Sequence, residues 1–392
     1  MEARVILGRG RQSRVLDGHP WVYANEIESI EGQFVPGGIV AVCDARGRFI
    51  GRGYINPASQ IRVRIMTRNE HEKVDEELFR RRLSEAWAYR QRWVKDSNAC
   101  RVVFAEADRL PALIVDKFGD YLVVQFLALG MDVRRELIVR LLNEIIKPKG
   151  IYERSDVPVR QLEGVDGRTG FLTDAFPTTI EIQENGFRLL VDIEHGQKTG
   201  YFLDQRENRA AIAPLMPGAR VLDCFSYTGG FAVHCAGYGA REVTAVDASA
   251  DALAMVRRNA ELNGLGDRIV TREANVFDEL RRLEAAGEKY DVVLLDPPAF
   301  AKNKAALEGA VRGYKEINLR AMHLLPPHSY LVTASCSYHM SEELFYAMVQ
   351  DAANDSHRRL RLVESRSQAK DHPVLLGAGE SRYLKFLILE VI

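Results

Sequence analysis

The spacing of apolar and polar residues changes along the chain, and with it the kind of element expected. Through residues 1–68, short apolar runs such as Val5-Ile6-Leu7, 39–42 and 61–65 stand between Gly and Pro turns, the layout of a small β domain. Ile61-Arg62-Val63-Arg64-Ile65 alternates apolar with basic, the period of a strand wet on one face. From 69 to 95 the period becomes helical: Phe79, Leu83, Ala86, Trp87 and Arg90 fall on one stripe. Runs at 112–115 and 121–126, joined by Lys117-Phe118-Gly119-Asp120, predict a hairpin. Residues 131–146 carry an amphipathic helix pattern that stops at Pro148, and 151–153 follows as a strand. Runs at 180–183 and 189–193 flank Glu184-Asn185-Gly186, and Asn-Gly between apolar runs is the strongest short hairpin signal. An α+β domain is therefore expected at 69–190. Beyond it, in 191–392, strands and helices alternate, which implies a parallel α/β sheet. Its strands are expected at 219–224, 242–247, 268–272, 290–295 and 329–335. The run 382–391 adds a last strand with no room for a crossover helix behind it.

Composition narrows the function classes. A chain of 392 residues implies two or three domains. Basic and acidic residues nearly cancel, 53 against 54, so nucleic-acid binding would need a local patch. One such cluster is Arg4, Arg9, Arg11 and Arg14 near His19-Pro20-Trp21, where guanidinium groups can hold phosphate and an aromatic can stack on a base. A solvated surface beside a buried Trp explains the same residues. The cysteines, Cys43, Cys100, Cys224, Cys235 and Cys336, contain no C-x-x-C pair. That argues against zinc or a disulfide framework and for a reducing compartment, and no metal is expected. No apolar run approaches the ~18 residues of a membrane helix, so a cytoplasmic location without membrane contact is expected.

Three segments carry candidate chemistry, each at the end of an expected strand, where ligands sit in open α/β sheets. Val221-Leu-Asp-Cys-Phe-Ser-Tyr-Thr-Gly-Gly-Phe231 reads as strand, glycine turn and helix, and Asp247 at the end of the next strand can accept ribose hydroxyls. G-x-G-x-x-G is absent, which disfavours a dinucleotide and fits an adenosine cofactor without pyrophosphate, such as S-adenosylmethionine. A plain βαβ turn with a solvated acid is the alternative. In 291–300 a buried strand ends in Asp296-Pro297-Pro298, where the prolines hold the acid rigidly. Such an acid can hydrogen-bond a flipped base, or merely cap backbone amides. In 331–339 Cys336 follows a strand between Ser335 and Ser337, the placement of an exposed nucleophile, whereas Cys224 and Cys235 read as packing. Together Asp296 and Cys336 suit methylation at C5 of a pyrimidine: a thiolate on C6 makes C5 nucleophilic, and an acid at N3 stabilises the developing charge. Two rival readings stand beside this one. Methylation of an exocyclic amino group of guanine or adenine would need Asp296 and no thiolate. A non-enzymatic RNA-binding or ribosome-assembly factor would need neither.

His195-Gly-Gln-Lys-Thr-Gly-Tyr-Phe-Leu-Asp-Gln-Arg206, 225–231, Asp296-Pro-Pro298 and Ser335-Cys336-Ser337 resemble the catalytic motifs of the ribosomal RNA large-subunit methyltransferase I family. Gly18-His19-Pro20-Trp21 and 51–57 resemble its PUA RNA-binding domain, so the resemblance spans essentially the whole chain. It implies a Rossmann-like class I methyltransferase domain at 191–392, preceded by a PUA-like β domain and a central α+β domain. It implies S-adenosylmethionine as cofactor, formation of 5-methylcytosine in 23S ribosomal RNA, Cys336 as nucleophile and Asp296 as the base-contacting acid. Thr199, Phe202, Gln205, Asp223, Ser226, Asp247 and Asp296 would line the cofactor site, with RNA contacts at Arg9, Arg11, Arg14 and His19. Many relatives carry an acid for the adenine amino group where Asn275 stands here; its amide oxygen can accept the same bond. Pro297 stands where some other 5-methylcytosine enzymes have a second cysteine, so product release would proceed without a second thiol. A homodimer is left open.

Overall fold

The computed structural model describes residues 2–301 and 303–392. They form two compact units: one of Met1–Ile182, Val191–Leu203 and Lys370–Ser381, the other of Gln183–Leu190, Asp204–Ala369 and Arg382–Ile392.

The first unit holds two sheets. Six strands between Arg4–Leu7 and Ile61–Thr67 make the N-terminal one, around a core of Val5, Leu7, Val22, Val40, Val42 and Val63. The strand Ile61–Thr67 departs from the alternation expected of it. Arg64, on its expected wet face, is 5% exposed. Its guanidinium bonds Glu163 at 2.8 Å and lies 5.4 Å from the centre of the Trp21 ring, whose Nε1 donates to Glu106 at 2.8 Å. A buried charge is tolerable when paired and hydrogen-bonded in this way.

The second sheet runs in chain order through Ala99–Phe104, Leu113–Phe118, Tyr121–Phe126, Gly150–Arg154 and Thr169–Phe171. The hairpin predicted around Gly119-Asp120 is present, with Phe118 opposite Tyr121. The helix Glu76–Trp93, capped by the Asp75 side chain on the Leu78 amide, lays its stripe on this sheet. Arg90 belongs to that stripe because its guanidinium is paired with Asp108 and is fully buried.

The hairpin of Thr179–Glu184 and Phe187–Asp192 turns at Asn185 and Gly186, with φ of 52° and 88°. Two positive φ values are what a tight type I′ turn requires.

In the second unit seven strands form one sheet. In space they run Ile269–Glu273, Glu242–Asp247, Arg220–Cys224, Val292–Leu295, Tyr330–Ser335, Lys385–Val391 and Leu360–Arg366. The first five are parallel, and Lys385–Val391 is antiparallel to its neighbour. The strand Leu360–Arg366 is an addition to the elements read from the sequence. It is an edge strand, mostly exposed, so its Arg, Glu and Ser residues hide the apolar alternation.

The register aligns the functional ends. Cys224 stands opposite Val246 and Leu295, Leu295 opposite Thr333, and Ser335 opposite Lys385. The glycine turn, Asp247, Asp296 and Cys336 therefore leave the sheet at one edge. Among the described residues no helix is long and apolar enough to cross a membrane.

Candidate active site

The strand Arg220–Cys224 ends in a turn bent in an unusual way. Phe225, Tyr227 and Gly229 have φ of 63°, 47° and 85°. Glycine takes such values without strain, whereas a bulky side chain in that region costs about 1–3 kcal/mol, a conformation found most often at functional sites. A Cβ on Gly229 would lie 3.1 Å from Val256 Cγ1 and 3.3 Å from its Cα, so the turn is pressed onto the helix Ala250–Leu262.

Beneath the turn sits Asp223, 1% exposed, with neither carboxyl oxygen in a full hydrogen bond among the described residues. Burial pushes its pKa well above the usual carboxylate range, and the charges of Asp296 and Asp247 add to the shift; the Ala232 amide and Arg209 act the other way. The Ser226 hydroxyl is buried and likewise unpartnered. Unsatisfied buried polar groups are costly unless a ligand completes them. A cofactor bearing an ammonium and a sulfonium fits, since the three acids supply negative potential and Asp223 and Ser226 supply acceptors.

Asp247 is held by backbone. Its Oδ2 accepts from the Tyr227 amide at 2.9 Å and its Oδ1 from Ser249 at 3.0 Å. Each oxygen keeps a lone pair for a ribose hydroxyl. Asn275 is exposed and caps the helix Val276–Ala285, its Oδ1 accepting from the Phe277 amide at 2.9 Å. The cap uses one lone pair of the oxygen expected to meet the adenine amino group.

Asp296 is oriented by a chain of amides. Its Oδ1 accepts from Gln205 Nε2 at 2.8 Å, Gln205 Oε1 from Asn208 Nδ2 at 2.6 Å, and Asn208 Oδ1 from Arg366 Nε at 3.0 Å. Asn208 and Arg366 are neighbours of this acid that no motif announces, Arg366 because it lies on the strand absent from the sequence pattern.

Cys336 is half-buried while Cys43, Cys100, Cys224 and Cys235 are buried. Burial pushes the Cys224 and Cys235 thiols up, consistent with packing. The Cys336 Sγ lies 4.0 Å from Pro297 O, beside Asp296. Ser337 ties the two loops together: its Oγ accepts from the Ala301 amide at 3.3 Å and lies 3.1 Å from the Tyr314 hydroxyl.

The second unit thus gathers Gln205, Asp223, Ser226, Asp247, Asn275, Asp296 and Cys336. Thr199 and Phe202 belong to the first unit. Thr199 is fully buried with its hydroxyl on Asp116 Oδ2 at 2.6 Å, and Phe202 has the Lys198 ammonium 4.4 Å from its ring centre.

Of the four N-terminal candidates, Arg9 and Arg11 are exposed, and Arg11 also reaches the Asn25 carbonyl. Arg14 is built into the fold, bonded to Glu26 at 2.9 Å and 4.7 Å from the Tyr23 ring centre. His19 is 7% exposed and 3.2 Å from Glu380; burial, then Arg14, lowers its pKa.

Comparison with known proteins identifies the family. Residues 5–68 match a family described as a PUA-like domain, and residues 162–379 match an S-adenosylmethionine-dependent methyltransferase family. The chain is 45% identical to the ribosomal RNA large subunit methyltransferase I of Aeromonas salmonicida, covering 99% of each. It is 42% identical to the protein of that name from Erwinia tasmaniensis, covering all of both. A putative S-adenosylmethionine-dependent methyltransferase from Streptococcus mutans shares the fold, with TM-score 0.85 at 20% identity over all of both chains. A putative methyltransferase complexed with S-adenosylhomocysteine superposes at TM-score 0.86, also at 20% identity over all of both chains.

Proposed function

The chain belongs to the ribosomal RNA large subunit methyltransferase I family of S-adenosylmethionine-dependent enzymes, and from that premise we propose that it forms 5-methylcytosine in 23S ribosomal RNA in the cytoplasm. One observation carries the choice of C5: the single half-buried cysteine, Cys336, lies 4.0 Å from the carbonyl next to Asp296. Methylation of an amino group needs no such thiol.

The Cys336 thiolate attacks C6 of the cytosine. The S–C6 bond forms and the electron pair of the C5–C6 double bond moves to C5. Asp296, oriented by Gln205, shares a proton with N3 and offsets the charge pushed into the ring. When bound, the cofactor would supply C5 with a methyl group, its bond to the sulfonium sulfur breaking as the C5 bond forms and neutral S-adenosylhomocysteine leaving. Loss of the C5 proton to a base then expels the thiolate and restores the double bond.

Asp223, Ser226, Asp247 and Asn275 hold the cofactor, with Gln205 contributing to its site. We assign RNA contact to segment 1–68, a connecting role to 69–190 and chemistry to 191–392, with Arg9 and Arg11 the exposed phosphate contacts.

The test is covalent trapping. Protein, S-adenosylmethionine and ribosomal RNA containing 5-fluorocytidine are incubated, because fluorine at C5 blocks the elimination. An RNA-linked band in wild type that vanishes in Cys336→Ala is the expected result. No band, with methylation of ordinary RNA surviving in Cys336→Ala, would replace C5 by an amino group as the target.

A further inference from the structure

A cation is buried beside the candidate nucleophile. Lys385 opens the antiparallel strand and pairs directly with Ser335, the residue before Cys336. It is 8% exposed, and its ammonium donates to Ser337 O and Tyr383 O, each at 2.7 Å. The ammonium therefore grips the backbone of the cysteine loop one residue past Cys336. Two of its three N–H donors are spent on these carbonyls, and the geometry fixes where the charge sits.

Burying a lysine this deeply is costly without a negative partner. Burial lowers the Lys385 pKa to about 8; the charges that raise it back are Cys336 first, then Glu342 at the start of the helix Glu342–Asp355. Glu342 is already paired with Arg382 at 2.5 Å. Tyr314 also feels Cys336, but burial raises its pKa, so it stays neutral near pH 7. At pH 7 Lys385 is therefore mostly an ammonium, seated on the loop that carries Cys336.

We propose that Lys385 is the positioning residue of the nucleophile: its buried ammonium, anchored on Ser337 O and Tyr383 O, holds the cysteine loop and keeps Cys336 as a thiolate. The thiol proton leaves to solvent, the ammonium offsets the sulfur charge, and the thiolate is ready to form the S–C6 bond. This rests on the C5 reading above, but the state of the thiol can be measured without RNA.

The experiment follows alkylation of Cys336 by iodoacetamide between pH 6 and 10, read by mass spectrometry of its peptide, in the full-length protein. The wild type is expected to show an inflection below the ordinary thiol value of about 8.5. In Lys385→Met the inflection moves up by about one unit. The thiolate fraction at pH 7 then falls about tenfold, and the greater nucleophilicity of the remaining thiolate returns about threefold, leaving alkylation roughly threefold slower. Lys385→Arg keeps the charge and is expected to stay near wild type, which a purely structural role for the methylene stem would not require.

An unchanged inflection in a natively folded Lys385→Met protein overturns the proposal. If that variant fails to fold, a wild-type inflection at or above about 8.5 overturns it alone. Should Cys336→Ala retain methyl transfer, the C5 reading fails, while the alkylation profile still decides whether Lys385 governs the thiol.

Discussion

Replacing Asp223 by Asn should move stability and cofactor affinity in opposite directions. Asp223 is almost wholly buried, and its carboxyl oxygens make no full hydrogen bond among the described residues. Its folded-state pKa is raised, chiefly by burial and then by Asp296 and Asp247. The folded protein thus binds this proton more tightly than the unfolded chain does. Stability is then greatest below the unfolded value of about 3.9 and falls as pH rises from there through the folded pKa, by about 1.4 kcal/mol for each unit of elevation. A neutral amide removes that cost but leaves unpaired polar atoms, so the net gain at pH 7 is about 1–2 kcal/mol. The ligand side has the other sign. A charge-assisted hydrogen bond to the cofactor's ammonium is worth about 1.5–3 kcal/mol, so its loss should weaken binding roughly tenfold to hundredfold. Thermal melts from pH 5 to 8 without ligand, with calorimetric titration of S-adenosylhomocysteine, measure both. The expected variant melts a few degrees higher, loses much of the pH dependence and binds more weakly. A lower melting temperature with unchanged affinity would refute the assignment of Asp223 as an acid held in reserve for a cation.

Other substitutions test the parts separately. Gln205→Ala removes the bond to Asp296 at 2.8 Å and, because Gln205 also belongs to the proposed cofactor site, should lower kcat by roughly tenfold and weaken S-adenosylhomocysteine binding by about threefold; unchanged affinity would confine Gln205 to orienting Asp296. Gly229→Ala forces a Cβ into a φ of 85° and toward Val256, at about 1–2 kcal/mol from the backbone alone, so a lower melting temperature and weaker cofactor binding are expected together. Arg9→Ala and Arg11→Ala should each reduce the slope of log affinity for ribosomal RNA against log salt by about one. His19→Ala, buried against Glu380, should instead lower the melting temperature and leave that slope unchanged.

Much of this site is legible along the chain because strand periodicity fixes where strands end, and the chemistry sits at those ends. Asp247, Asp296 and Cys336 could be placed at one edge before any coordinates, since a parallel sheet of five strands aligns its C-terminal ends. The Asn185-Gly186 turn is equally local, because two positive φ values demand those residue types. What sequence leaves hidden is polar burial between distant segments. Arg64 sits in an alternating pattern that says solvent, yet Trp21, Glu106 and Glu163, up to 99 residues away, enclose it. The strand Leu360–Arg366 carries a weak apolar signal because its faces are wet, so nothing local marks Arg366 as the far end of the chain that orients Asp296.

The same division explains how the candidate groups are held. The side chains proposed to meet substrate or cofactor stand on turns whose shape is written in Gly, Pro and Asp. Side chains that aim them come from the last strands of the sheet: Arg366 acts through Asn208 and Gln205 on Asp296, and Lys385 grips the loop of Cys336. Those strands pair antiparallel with each other, with Arg366 opposite Phe386 and Ser365 opposite Leu387 at the ends nearest the site. A single packed edge therefore braces both the acid and the thiol. A disturbance of strand pairing there, far from any motif, should misplace the two groups together, lowering kcat while cofactor affinity, set by the turn at Asp223 and Gly229, is retained.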